Sequence, residues 1–199
     1  MDVRQITEPS DLPLTLAELR AQLRLDSDFV VDDPYIETLQ RAAVDSVEAH
    51  IAGPLVSRDF EQLHECFPCG DRLVLARAPV SAIAGVFYTA DGAAEAIFAA
   101  SNYVADVKAR PGRVVLKRAA AWPSVALEAG NAVRVQFTAG YGARADVPES
   151  AKQAIKLLVS HWYANRQAVV VNMQVPVVMQ LGFEAVLSGA IQYYPGLHF

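Results

Sequence analysis

The sequence predicts an α+β protein: a core of three main helices, an antiparallel β region inserted between the second and third, and an extended C-terminal segment. Three observations carry this. Helical periodicity is strong in three capped stretches, at about 15–25, 34–52 and 147–167. From about 55 to 140 the apolar period shortens toward two and turn residues recur. Beyond 168 the chain is apolar and aromatic, and Pro176, Gly182 and Pro195 punctuate it. Residues 1–168 therefore read as one domain and 169–199 as a segment apart.

Taken in order, residues 1–14 read as an irregular arm interrupted by Pro9 and Pro13. Thr15-Leu16-Ala17-Glu18 matches a capping box, in which Thr15 and Glu18 satisfy backbone N–H groups reciprocally. Leu16, Leu19 and Leu23 give the first helix its apolar stripe. An acidic loop follows, with Asp26, Asp28, Asp32 and Asp33 around an apolar Phe29-Val30-Val31. Asp33 then reads as the N-cap of the second helix and Pro34 as its first position. Ile36, Leu39, Ala43, Val47 and Ile51, with Ala42 beside them, mark its buried face. Gly53-Pro54 reads as the stop.

Strands are predicted at 56–64, 72–77, 83–89, 94–98, 103–108, 114–117 and 132–139, rich in Val, Phe and Tyr. Turn chemistry separates several of them, at Cys69-Gly70-Asp71, Ala90-Asp91-Gly92 and Arg110-Pro111-Gly112. The last two read as hairpins. Gly140-Tyr141-Gly142 ends the last strand. In the third helix Asp146 or Val147 is the expected cap and Pro148 fits the first turn. Glu149 sits near the positive helix end. Ile155, Leu158, Val159 and Trp162 form one buried face. Past the helix, 169–171 and 175–178 read as extended and 183–191 as a short helix.

A chain of 199 residues holds one sizeable domain or two small ones. It is 53% hydrophobic, with a mean hydropathy of +0.20. That is apolar for a soluble monomer and implies surface buried against other chains. The sequence predicts no membrane span, and no leader with a basic start and an apolar core. The expected origin is cytoplasmic. Net charge is −5, and the 17 basic residues are dispersed. Tight gripping of nucleic-acid phosphates needs clustered Lys and Arg, so specific DNA binding is not expected. A protein that DNA merely slides past stays compatible with this charge.

Cys66-Phe67-Pro68-Cys69 is the one reactive-looking motif. A thioredoxin-type CxxC opens a helix, whose dipole lowers the thiol pKa. This one falls between two predicted strands. As a zinc site it is half a site, with His64 a third ligand and His50, His161 or His198 a remote fourth. The plainer reading is two reduced, partly buried cysteines beside a turn. His161 has no nucleophile signature near it. The four aspartates lack calcium-loop spacing. Gly140-Tyr141-Gly142 lacks the third glycine of a dinucleotide fingerprint. These absences argue against an enzyme, and no cofactor is expected. Trp162 continues the apolar stripe and reads as core. Tyr163, Asn165 and Arg166 lie off it and read as contacts for the C-terminal segment or a neighbouring subunit.

Five stretches, in this order, resemble the head–tail connector (adaptor) proteins of tailed phages, prophages and gene transfer agents. They are LTLAELRAQLRLD at 14–26, VEAHIAGPL at 47–55, LARAPVSAIAGVFYTADG at 75–92, NAVRVQFTAGYG at 131–142 and VPESAKQAIKLLVSHWYANRQAV at 147–169. The CxxC lies outside that pattern. The resemblance implies a structural, non-enzymatic virion protein of the head–tail neck, assembled in the host cytoplasm. Such proteins form a ring, usually a dodecamer, under the portal protein. The ring extends the DNA channel and receives the stopper or another neck or tail protein. DNA passes without specific binding, and no membrane is involved. Within 169–199, the apolar and aromatic Val177, Phe183, Tyr193, Tyr194 and Phe199 are the candidates for docking on a partner. Two alternatives stand beside this reading: a small metal- or thiol-dependent enzyme using Cys66 and Cys69, and another neck protein such as a stopper or tail-completion protein.

Overall fold

The protein is mixed helix and antiparallel sheet; a computed structural model describes residues 1–26 and 28–166. Chain order is β1 (Asp2–Gln5), α1 (Leu16–Leu23), α2 (Asp33–Ile51), β2 (Arg58–His64), β3 (Arg72–Val74), β4 (Val80–Thr89), β5 (Glu95–Phe98), β6 (Tyr103–Asp106), β7 (Arg113–Leu116), β8 (Val133–Ala139) and α3 (Glu149–Ala164). Among the described residues these fall into two compact units. One is built from Met1–Ser10 and Ser57–Tyr141, the other from Asp11–Val56 and the chain from Gly142 onward.

The first unit holds all the strands. Five form one antiparallel sheet in the order β1-β2-β8-β4-β5, and three form a second in the order β3-β7-β6. β8 lies at the centre of the larger sheet, and its residues alternate strictly. Val133, Val135, Phe137 and Ala139 point inward, while Arg134, Gln136 and Thr138 lie on the partly open face. This is the period-two pattern of a half-buried strand. The inner faces of both sheets meet in one core, where Phe60, Val86 and Phe98 lie with Leu73, Tyr103 and Val114. Buried Gln62 on β2 is its polar pin. Its Nε2 donates to the Val74 carbonyl at 2.8 Å, and its Oε1 accepts from the Ala76 N–H at 2.8 Å. The amide thus ties the larger sheet to the end of β3 and leaves neither backbone group unpartnered.

The residues expected to form an irregular arm include a strand. β1 pairs antiparallel with β2, from Asp2 opposite Leu63 to Gln5 opposite Phe60. Of its four side chains only that of Val3 is half-buried, so the stretch carries no apolar period to read. β4 starts at Val80, ahead of the expected 83, because irregularities between Val80 and Ala82 and between Ile83 and Gly85 break its alternation. The turns at Ala90-Asp91-Gly92 and Arg110-Pro111-Gly112 do join hairpin partners. Cys69-Gly70-Asp71 instead links strands of different sheets.

The second unit holds the three helices, with α3 packed on α2 and α1 against both. The capping box forms as read. Thr15 N and Oγ1 both donate to Glu18 Oε2 at 2.7 Å, and Glu18 N donates to Thr15 Oγ1. These bonds, the Thr15 N–H foremost, hold the Glu18 carboxyl below its ordinary pKa. On α2 the buried residues are Ile36, Gln40, Ala43, Val44, Val47 and Ile51. Leu39 is half-buried and Ala42 exposed, which departs from the expected face. Gln40 takes the inner position because its Nε2 donates to the Leu14 carbonyl at 2.7 Å. Asp32, one residue earlier than expected, is the N-cap. The left-handed residue that ends α2 is Ala52 (φ 54), and Gly53 N donates to Glu48 O behind it. α3 is capped at Pro148, after a short 3-10 turn at Arg144–Asp146. Ile155 and Val159 are fully buried as expected, together with Ala151 and Ala154. Leu158 and Trp162 are only half-buried.

Candidate functional site

The acidic loop before α2 gathers the most distinctive side chains of the helical unit. Its foundation is Arg20 in the last turn of α1. The Arg20 guanidinium grips Asp33 in a two-pronged pair, Nε to Oδ1 at 2.8 Å and Nη2 to Oδ2 at 2.7 Å. Nη2 also donates to the Phe29 carbonyl at 3.2 Å. One planar cation therefore fixes both sides of the loop, a geometry that suits Arg and not Lys.

A second brace comes from the end of α3. Tyr163 donates its hydroxyl to Asp32 Oδ2 at 2.5 Å, and Arg166 pairs with the same oxygen. The Arg166 guanidinium also lies 4.8 Å from the ring centroids of both Tyr35 and Tyr163. The Tyr163 hydrogen bond, with Arg166 second, lowers the Asp32 carboxyl below its ordinary range. The same hydrogen bond raises the Tyr163 hydroxyl. Asp32 thus works as a latch between the start of α2 and the end of α3.

Between these braces Phe29, Val30 and Val31 stand in solvent, at 42%, 56% and 78% exposure. Three consecutive exposed apolar side chains on a braced loop mark a contact surface more than a random surface residue would. Two of the expected interface residues, Tyr163 and Arg166, belong to its support and are engaged within the chain. Asn165 donates to the His161 carbonyl at 2.9 Å at the end of α3 and is exposed. Val177, Phe183, Tyr193, Tyr194 and Phe199 lie outside the described residues. Among the four loop aspartates, Asp32 and Asp33 hold cations, and Asp26 and Asp28 are solvent-exposed.

The CxxC sits elsewhere, in the sheet unit. Cys66 and Cys69 are free and exposed, not partly buried as expected. The residues between them explain this: Phe67 is drawn inward, stacked 5.1 Å from Trp122 and edge-on to Tyr88 at 5.8 Å, while Trp122 donates Nε1–H to the Gly70 carbonyl. An aromatic anchor holds the loop down and turns both thiols outward. His64 accepts at Nε2 from Gln62 Nε2 at 2.8 Å, and burial lowers its pKa. Among the described residues no group of three His, Cys, Asp or Glu is arranged to hold a metal ion. Among the same residues no helix is long and apolar enough to cross a membrane.

No protein-family model matches the sequence, and no curated protein matches it. Solved structures do match. A chain in the neck of an empty gene transfer agent (GTA) particle computed with C6 symmetry is 25% identical, with a TM-score of 0.78 over 98% of this chain and 97% of that one. A chain in the virion of a native GTA particle is also 25% identical, with a TM-score of 0.78 over 100% of this chain and 99% of that one. A chain in the neck of a native GTA particle computed with C12 symmetry is 24% identical, with a TM-score of 0.74 over 98% and 97%. Likeness over both full lengths to chains of GTA necks and virions supports a neck or connector-type protein of the gene-transfer-agent kind.

Proposed function

We propose that the protein is a head–tail adaptor. Copies form a ring, a dodecamer by the twelvefold symmetry of one matching neck, beneath the portal protein. The ring extends the DNA channel and offers its far side to the stopper or another neck protein. The helices form a connector core, and the strands between α2 and α3 are an insertion into it. Residues 1–168 act as one adaptor domain and 169–199 as the docking segment, with Val177, Phe183, Tyr193, Tyr194 and Phe199 as apolar anchors.

The observation that carries this reading is the end-to-end match to neck chains of GTA particles. The high apolar content and the exposed 29–31 loop agree with a subunit that buries surface on two sides. The net charge of −5 suits a conduit from which phosphates are repelled. The reading involves no catalysis, no cofactor and no membrane.

Removing the gene is expected to leave filled, tail-less heads under electron microscopy, and imaging of wild-type necks is expected to show a ring of this chain in contact with the portal. Normal head–tail joining without the protein would overturn the reading. Density for the chain on the tail side of the neck, away from the portal, would replace it with the stopper alternative.

A further inference from the structure

The β3-β7-β6 sheet has an outer face that is apolar along its middle and basic at its rim. Its register sets Arg72 opposite Val115 opposite Val104, and Val74 opposite Arg113 opposite Asp106. Residues opposed in antiparallel strands share a face, so these six lie together, away from the core side that carries Leu73 and Val114. Val104 is 49% exposed. With Val107 and Val115 it lines an open groove of about 480 Å³. Arg72, paired with Asp71 at 3.3 Å, Arg113, paired with Asp106 at 2.9 Å, and the exposed Lys108 edge that groove.

The 29–31 loop is the counterpart in both respects. Phe29, Val30 and Val31 are apolar and exposed, and the exposed carboxylates Asp26 and Asp28 precede them. Apolar faces apolar and acid faces base. Because Arg20 and the Asp32 latch brace the loop, seating it orders little that is not already ordered. Loop and groove are different surfaces, so a contact between them is head-to-tail and closes into a ring when the rotation fits.

We propose that the 29–31 loop of one copy seats in the β3-β7-β6 groove of the next copy, and that this is the repeating contact of the ring. The proposal rests on the ring reading above and names the surfaces that reading leaves open.

The test uses full-length chains in assembled particles, with Cys66→Ser and Cys69→Ser as background. One chain carries Val30→Cys and the other Val104→Cys, expressed together. On mild oxidation the expected product is a disulfide-linked pair that contains one of each and is absent when either variant is present alone. In the native-cysteine chain, Lys108→Glu is expected to lower the yield of tailed particles about tenfold, and adding Asp26→Lys to recover most of it. A ring of copies in the neck with no mixed cross-link and no charge-swap recovery would overturn this contact and leave the adaptor reading standing. A neck holding no ring of this chain would overturn both.

Discussion

At the scale of single residues, satisfied polar groups matter more than charges. Gln62 is the clearest case, since its amide serves two backbone groups in the core. Gln62→Leu leaves the Val74 carbonyl and the Ala76 N–H without a partner. The expected cost is about 2–4 kcal/mol of unfolding free energy, measured by urea titration. A loss under 0.5 kcal/mol would mean that water replaces the amide. His64 sits beside it with its pKa lowered by burial first and by the N-terminal ammonium second. A histidine neutral in the fold but protonated in the unfolded chain withdraws stability as pH falls through its ordinary value of 6.5 toward the lower folded value. His64→Phe is therefore expected to flatten the decline in melting temperature between pH 7 and 5. Asp32 behaves in the opposite chemical sense with the same sign. Its carboxyl is lowered in the fold, so its contribution is full at neutral pH and fades in acid. Tyr163→Phe removes the largest cause, and the Asp32 titration read by NMR is expected to rise toward 3.8. An unchanged titration would show that Arg166 alone holds the latch.

At the scale of elements, the caps and turns decide where the chain changes character. Thr15→Ala removes the hydroxyl's half of the capping box, leaving only the backbone N–H to Glu18 Oε2, and is expected to cost about 1 kcal/mol, checked by chemical denaturation. Thr15→Asp is expected to recover most of it, since aspartate also caps well. Gly142 is a different kind of boundary. It has φ +132, and a Cβ there would meet Asp146 Oδ2 at 2.4 Å. That oxygen accepts the Ala143 N–H and starts the turn into α3. The boundary was legible from sequence because Gly140-Tyr141-Gly142 is unusual after a strand. All three helices and seven of the strands were legible for similar reasons: caps, prolines and period. β1 was not, because an edge strand with one half-buried side chain has no pattern, and its partner lies more than fifty residues on. The Asp32 latch was hidden too. Tyr163 and Arg166 stood out as off-stripe residues, but their partner is set by how α3 lies on α2, which no local spacing encodes. The cysteines were read as more buried than they are because Phe67, between them, takes the inner position.

At the scale of the whole molecule, the proposed role was legible only as a resemblance. The sequence order of five stretches carried it, and the end-to-end structural match to GTA neck chains supports it. The tail bears on the proposed docking role. Deleting 189–199 is expected to leave the melting temperature within 2–3 °C while lowering the yield of tailed particles, counted by electron microscopy. Normal yields after the deletion would remove the docking role.

The two units are not consecutive in the chain. Among the described residues the backbone passes from one to the other at 10–11, 56–57 and 141–142. β1 waits for β2, and β2 for β8, so the sheet closes only when residue 139 has been made. The helical unit begins after β1 and finishes later than the sheet, when α3 arrives to meet α2. Like two lengths of rope spliced strand over strand, neither unit is released by a single cut. A protease nick at 56–57 should therefore give a protein that migrates whole under native conditions and falls into two pieces only in denaturant. In the ring proposed above, one broken peptide bond would then not cast off half a subunit.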